Sequence, residues 1–334
     1  MANHASKAIV LAGMCGISLL LAAAILLISG SGGDDVQKGT NTTEIREGYL
    51  PVPGGNVWYR IVGGGAEGVP LLVLHGGPGA SSDYLEPLEA LADERPIIFY
   101  DQLGGGNSDR PNDPSLWTVN RSVAEIVAVR EALDLDEVHI LGQSWGTALA
   151  VEYYTLASGQ NGVKSLVLSA PCLNAARWAA DQQEHVADLP GSARAAISES
   201  ETSGTFSSPE YQEAMMLFYN RHVCRMEPWP DCLNRTFEKL GYPVYEQMWG
   251  PSEFTVTGTL REYNCTPQLG GIGVPVLFTC GEFDEASPET TAFYASLVPG
   301  AEVRVFEDAS HEHHLEKSEE YLKTVREFLR RAER

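Results

Sequence analysis

Short apolar runs recur along the chain, and a glycine-rich or polar turn follows each of them. The runs cover residues 71–74, 96–100, 138–141, 164–168, 275–279 and 303–306. Continuous apolar runs of this length are typical of strands that are buried on both faces of a parallel sheet. Segments with helical spacing of apolar residues lie between them, as at Val123, Ile126 and Val127. The alternation predicts an α/β domain with a mostly parallel sheet.

Two of the helices have further signals in the sequence. Ser122 and Glu125 have the spacing of a capping box, which predicts that a helix begins at Ser122. Near the C-terminus, apolar residues at positions 321, 322, 325, 328 and 329 repeat at helical spacing and predict an amphipathic helix.

The strand–helix alternation breaks between residues 171 and 258. This stretch has helical and polar patterns with several aromatic residues, and it contains no recognisable strand–helix repeat. We therefore predict a helical lid at 171–258. It is inserted between a first part of the core at 44–170 and a second part at 259–334.

The N-terminal 30 residues differ from the rest of the chain. No charged residue occurs from Ala8 to Ile28, and this apolar run is long enough to span a bilayer. Lys7 precedes the run and Asp34 follows it, which favours a cytoplasmic N-terminus and an exported catalytic body. We predict a signal-anchor at 1–30, with a cleaved signal peptide as the alternative, and a linker at 31–43. Both versions predict an exported protein, either secreted or held at the membrane.

The net charge restricts the possible partners, and two cysteines could form a disulfide. The 334-residue chain has a formal net charge of −22, which argues against nucleic acid as a partner. Cys224 and Cys232 are near enough in sequence to close a small disulfide loop in an oxidising compartment. The alternative is that both remain buried free thiols.

Ser144 is the candidate nucleophile. It lies in the run Gly142-Gln143-Ser144-Trp145-Gly146, between a predicted strand and a helical segment. A Gly-x-Ser-x-Gly sequence in this setting is typical of α/β-hydrolases, in which a tight turn raises the serine hydroxyl above the sheet edge. The turn is so tight that small residues must flank the serine, and here these are Gly142 and Gly146, two positions away on either side.

A serine hydroxyl is a poor nucleophile at neutral pH, so it needs a base and an orienting acid. In α/β-hydrolases these residues occur in the chain order Ser, Asp or Glu, His. Asp284 and His311 each follow a predicted strand in that order, and we predict them as the acid and the base. His313 and His314 compete with His311 by composition, and the alternative interpretation of them is a surface histidine cluster. Their spacing does not fit a metal site, and we predict none.

The tetrahedral intermediate requires N–H donors directed at its oxygen. We predict that one donor is the backbone N–H of Trp145, directly after the nucleophile. The other is expected from Gly77, in the glycine-rich loop 75–79 that follows the first predicted strand. Glycine lets the backbone approach a substrate without a side chain in the way.

Four stretches of the chain together resemble the proline iminopeptidase family of α/β-hydrolases. They are residues 75–79, 101–108, 142–146 and 281–285. Two stretches of the predicted lid, 221–225 and 248–254, are also similar to the family. The resemblance extends from about Glu44 to the C-terminus.

The resemblance implies a lidded enzyme that removes an N-terminal residue, preferentially proline, from short peptides and needs no cofactor. It also implies that Glu253 in the lid and Glu285 beside Asp284 bind the free ammonium of the substrate, through charge-assisted hydrogen bonds. One alternative is an esterase or amidase that acts on small amino-acid derivatives. An alternative of another class is a non-catalytic, membrane-tethered binding protein on a hydrolase scaffold.

Overall fold

A single eight-stranded sheet forms the centre of the protein, seen here in a computed structural model that describes residues 44–156 and 159–334. The strands are β1 (Ile45–Val52), β2 (Gly55–Val62), β3 (Leu71–Leu74), β4 (Ile97–Tyr100), β5 (Val138–Gln143), β6 (Val163–Ser169), β7 (Val276–Gly281) and β8 (Glu302–Phe306). Their order across the sheet is β1-β2-β4-β3-β5-β6-β7-β8. Among the described strands of this sheet, only the pairings of β2 with β1 and β4 are antiparallel. The predicted mostly parallel sheet is thereby confirmed.

The described helices fall into two groups. The helices α1 (Val119–Ala132), α2 (Trp145–Thr155), α8 (Pro288–Ser296), α9 (His313–Glu316) and α10 (Ser318–Ala332) alternate with the strands. The helices α3 (Ala175–Ala187), α4 (Gly191–Ser203), α5 (Pro209–His222), α6 (Asp231–Glu238) and α7 (Tyr242–Met248) all lie between β6 and β7. This second group is called the helical insertion below.

The helical insertion packs directly onto the sheet domain. Trp178 and Tyr245 belong to the same buried cluster as core residues of the sheet, and Phe218 belongs to the buried cluster on the other side. The described residues, 44–156 and 159–334, accordingly belong to one compact unit. The insertion and the strand ends can therefore share hydrogen bonds as well as apolar surface.

The hairpin formed by β1 and β2 was not predicted. Strand β2 alternates in burial, with Val57, Tyr59 and Ile61 turned inward, and β1 is mostly exposed. A hairpin at the edge of a sheet has one solvent-exposed face. It therefore lacks the continuous apolar run from which β3 to β8 were predicted. The period-two spacing of Val57, Tyr59 and Ile61 is the signal that identifies β2.

The capping-box prediction is wrong. Helix α1 begins one turn earlier, at the N-cap Thr118, whose hydroxyl accepts a hydrogen bond from the Arg121 N–H. Ser122 and Glu125 are buried within the helix. The Glu125 carboxylate pairs with Arg121 and accepts the backbone N–H of Leu103, so its role is tertiary.

Two further predictions concern the N-terminal segment and the pair Cys224 and Cys232. In residues 44–156 and 159–334 no helix is both long and apolar enough to cross a bilayer. The predicted signal-anchor at 1–30 and the linker at 31–43 lie outside the described residues. Cys224 and Cys232 are free thiols, so the disulfide alternative does not hold in this structure.

Candidate active site

The turn after β5 gives Ser144 its position. Ser144 is the N-cap of α2 and has φ +54°, a conformation that a non-glycine residue adopts only under strain. A Cβ on Gly142 would lie 2.3 Å from the Gly146 carbonyl oxygen, and one on Gly146 would lie 2.0 Å from the Leu74 carbonyl oxygen. Both glycines are therefore required for the backbone to close this turn.

Asp284 follows β7 and is fully buried. Its Oδ1 accepts hydrogen bonds from His311 Nδ1 at 2.8 Å and from the Ala286 N–H at 2.9 Å. Its Oδ2 accepts the Gly281 N–H at 3.0 Å. Burial alone would raise the pKa of Asp284, but His311 and His313 outweigh it and hold that pKa well below its usual range. Asp284 is therefore ionised and fixed beside His311.

His311 follows β8 and lies next to the residue that precedes the nucleophile. Its carbonyl oxygen is 3.5 Å from Nε2 of Gln143. The strand ends of β5, β7 and β8 thus bring residues 144, 284 and 311 to one edge of the sheet. Burial opposes the charged imidazole, but Asp284, Glu285 and Glu312 together raise the pKa of His311 to about 10.

The two other histidines of this segment are buried, which excludes the surface-cluster interpretation. His313 contacts the hydroxyls of Ser169 and Thr279, and its Nδ1 is 3.5 Å from Asp284 Oδ2. His314 Nε2 donates to the Tyr84 carbonyl at 3.0 Å. Within the described ranges no group of three or more His, Cys, Asp or Glu side chains could hold a metal ion.

The glycine-rich loop lies directly against the nucleophile. A Cβ on Gly76 would be 2.9 Å from the Cβ of Ser144, and Gly77 has φ +107°. The Gly76 N–H donates to the Tyr84 hydroxyl at 2.7 Å, which in turn donates to Gln143 Oε1 at 2.6 Å. Trp145 is the first residue of α2, where backbone N–H groups have no partner within the helix. The glycine-rich loop that carries Gly77 and the start of α2 thus both lie beside Ser144.

The two predicted amine-binding carboxylates also lie at this edge. Glu285 is fully buried, its Oε2 is 3.8 Å from His311 Nδ1, and neither of its oxygens accepts a hydrogen bond from the described residues. Glu253 Oε1 accepts the hydroxyl of Tyr245 at 2.6 Å. Burial and the charge of Glu253 raise the pKa of Glu285 well above its usual range. Burial likewise raises the pKa of Glu253.

Sequence reasoning missed two groups at this site. Tyr245 belongs to the helical insertion, and no pattern in the sequence links it to Glu253. Glu312 is a further buried carboxyl beside His311, and burial raises its pKa to about 8. Its proximity to the predicted base in the sequence was the one available signal.

Comparisons with known proteins identify the fold and the family. Residues 69–318 match the family model described as the alpha/beta hydrolase fold. A proline iminopeptidase of Heyndrickxia coagulans is 46% identical over 85% of this chain and 98% of its own length. One from Lactobacillus acidophilus is 40% identical over 86% of this chain and 98% of its own length.

A solved structure extends the similarity to three dimensions. The crystal structure of a proline iminopeptidase from Mycobacterium smegmatis has a TM-score of 0.78 at 35% identity, covering 86% of this chain and 98% of that one. The predicted α/β-hydrolase fold and the predicted family are both confirmed. The chain belongs to the proline iminopeptidase family of α/β-hydrolases.

Proposed function

We propose that the protein is a serine exopeptidase that releases an N-terminal residue, preferentially proline, from short peptides with a free amine. The preference for proline rests on the relatives named proline iminopeptidase. The observation that carries the requirement for a free amine is Glu285, which is fully buried beside His311 with neither oxygen hydrogen-bonded within the described residues.

A buried carboxylate without donors is costly unless a cation or donor meets it. Burial and the charge of Glu253 raise the pKa of Glu285, so its carboxylate form costs free energy until a cation pairs with it. A substrate ammonium would supply that positive charge together with several N–H donors. An amide-blocked or acetylated N-terminus has no such charge, so the site would discriminate against it.

In the proposed reaction, His311 takes the proton of the Ser144 hydroxyl as its oxygen attacks the first carbonyl carbon of the peptide. Asp284 holds the imidazole in orientation and stabilises its charged form. The N–H groups of Trp145 and Gly77 stabilise the oxyanion. His311 then protonates the leaving amine, the shortened peptide departs, and water hydrolyses the acyl-enzyme by the same proton transfers in reverse.

A pair of substrates tests the proposal. Proline anilide should be hydrolysed, whereas N-acetylproline anilide should be hydrolysed far more slowly. Ser144→Ala should abolish turnover without loss of folding. Glu285→Gln should reduce the preference for the free amine, and Glu289→Gln is the matched control, because Glu289 is exposed at the start of α8.

Equal rates for the two anilides would instead support the esterase or amidase alternative. Failure of a fluorophosphonate to label Ser144 would support the non-catalytic one.

We further propose that the apolar N-terminal run, residues 8–28, directs export and holds the enzyme at a membrane. The absence of charge along that run supports this proposal. Fractionation of cells that express the full chain, beside a chain that starts at Asp34, tests it. Identical distribution of the two forms would contradict it.

A further inference from the structure

One face of α3 is turned towards the loop that carries Asp284 and Glu285. Trp178, Asp181, Gln182 and His185 have the i, i+3, i+4, i+7 spacing of a single helix face. Asp181 accepts the Ser287 N–H at 3.2 Å and the Thr290 hydroxyl at 3.1 Å. This face is mostly polar, yet Trp178 and Gln182 are buried. Its polar groups bond the loop at residues 282–287, called the acid loop below.

Three consecutive backbone carbonyls of the acid loop each accept a side chain of the helical insertion. Gln182 Nε2 donates to the Glu285 carbonyl at 2.8 Å. His185 Nε2 donates to the Asp284 carbonyl at 3.1 Å. His222 Nδ1, at the end of α5, donates to the Phe283 carbonyl at 3.0 Å. These carbonyls belong to the segment that holds the predicted acid and one amine-binding carboxylate.

The end of α5 also bonds the segment that carries His311. The His222 carbonyl accepts the His311 N–H at 2.9 Å. The next carbonyl, of Val223, accepts the Glu312 N–H at 2.9 Å and the Ser310 hydroxyl at 2.9 Å. His222 therefore bonds the acid loop through its ring and the base segment through its backbone.

We propose that the helical insertion positions the catalytic pair, and that His222, His185 and Gln182 are its positioning residues. The inference rests on the proposed function only in taking Asp284 and His311 as the acid and base of Ser144. It assigns the insertion a role beyond that of the predicted lid: the insertion fixes the two loops whose spacing determines the Asp284–His311 hydrogen bond.

The chemistry of the two histidines fits this role. Each ring donates to a carbonyl, so the proton is on Nδ1 of His222 and on Nε2 of His185. The rings stack with centroids 4.0 Å apart and 22° between their planes. Burial and the adjacent His185 lower the pKa of His222 to about 4, so its ring is a neutral donor at neutral pH. The neutral His222 ring holds the Phe283 carbonyl without adding a positive charge next to Asp284.

The test measures how fast a fluorophosphonate labels Ser144, because this reaction needs the triad and makes no use of amine recognition. His222→Leu removes the ring donor, and we expect labelling to slow by roughly 10- to 100-fold, as for small misplacements of a catalytic group. His222→Asn keeps an N–H donor close to Nδ1 and should recover most of the rate. Gln212→Leu is the matched control, since Gln212 lies on α5 and donates at 2.8 Å to the Phe206 carbonyl instead.

His185 supplies a second pair of variants in case His222→Leu does not fold. It is only partly buried, so His185→Leu should be tolerated, and His185→Gln keeps a donor at the reach of Nε2. The leucine variant should label slowly and the glutamine variant near the wild-type rate. Both should fold, as judged by their thermal transitions. Labelling of His185→Leu at the rate of the Gln212→Leu control would overturn the proposal.

A double-mutant cycle separates positioning from general damage. In an Asp284→Asn background the rate should fall much less on His222→Leu, because the acid that the loop holds in place has already been neutralised. An equal loss in both backgrounds would overturn the proposal. A wild-type enzyme that labels rapidly but cleaves free and acetylated proline anilides equally would contradict the proposed function and leave this inference standing.

Discussion

The hydroxyl of Tyr245 donates a 2.6 Å hydrogen bond to Oε1 of Glu253. The backbone of Glu253 is held as well, because its carbonyl accepts the indole N–H of Trp178 at 3.0 Å. Trp178 in turn lies edge-on to His311, with ring centroids 5.6 Å apart. The Glu253 carboxylate, proposed to bind the substrate ammonium, is therefore oriented by two buried aromatic side chains.

Tyr245→Phe should weaken recognition of the free amine and leave the chemical step nearly intact. A hydrogen bond to a charged group contributes about 1.5–3 kcal/mol, so we expect KM for proline anilide to rise by roughly tenfold or more. The value of kcat should change little, because the Tyr245 hydroxyl donates to Glu253 and not to Asp284 or His311. Steady-state kinetics on the wild-type enzyme and on Tyr245→Phe measures both quantities.

Tyr263→Phe is the control for that substitution. Tyr263 also donates to a glutamate, Glu152 Oε1 at 3.0 Å, but this pair binds α2 to the segment before β7. Its loss should leave KM unchanged. A fall in kcat with unchanged KM in Tyr245→Phe would contradict a role in amine binding.

Gly76→Ala should reduce the rate of acylation. An added Cβ would lie 2.8 Å from Gln143 Oε1 and 2.9 Å from the Cβ of Ser144, so either the loop or the nucleophile must shift. A displaced oxyanion donor costs on the order of 10²–10³ in kcat. Labelling of Ser144 and turnover of proline anilide should fall together.

Gly271→Ala is the corresponding control, because a Cβ at that exposed position meets nothing within 4 Å. It should retain the wild-type rate. Normal activity of Gly76→Ala would show that the glycine-rich loop does not need its close approach to Ser144.

The sequence predicted the fold best where burial is most complete. Every residue of β3, β4, β5 and β7 is buried, and these strands appear in the sequence as continuous apolar runs. The edge hairpin β1–β2 was not predicted, because only one of its faces is buried. The start of α1 was misplaced because Glu125 looked like a capping residue, whereas its carboxylate is part of a buried tertiary contact.

The site was predictable to the extent that strand order fixes it. Ser144, Asp284 and His311 each follow a parallel strand, and the carboxyl ends of parallel strands meet at one edge of the sheet. No such rule predicts the hydrogen bonds from the helical insertion to the acid loop. The donor in His185 is 99 residues from the Asp284 carbonyl that it bonds, and that in Gln182 is 103 residues from the Glu285 carbonyl. Contacts of this kind follow from tertiary packing alone.

The charges around His311 predict how activity depends on pH. In the free enzyme, Asp284, Glu285 and Glu312 outweigh burial and raise the pKa of His311, which must lose its proton to act as a base. A bound substrate ammonium would offset the charge of Glu285, whose Oε2 is 3.8 Å from His311 Nδ1. The pKa of His311 should therefore be lower in the substrate complex than in the free enzyme.

The two kinetic parameters report these two states, since kcat/KM follows the free enzyme and kcat follows the complex. We expect the acid limb of kcat for proline anilide to lie at lower pH than the acid limb of kcat/KM. Glu285→Gln removes one of the carboxylates that raise the pKa of His311. It should therefore move the acid limb of kcat/KM to lower pH and reduce the difference in pH between the two acid limbs. Glu289→Gln should leave both limbs in place. Coincident limbs in the wild-type enzyme, or a limb of kcat at higher pH than that of kcat/KM, would mean that the substrate ammonium does not bind beside Glu285.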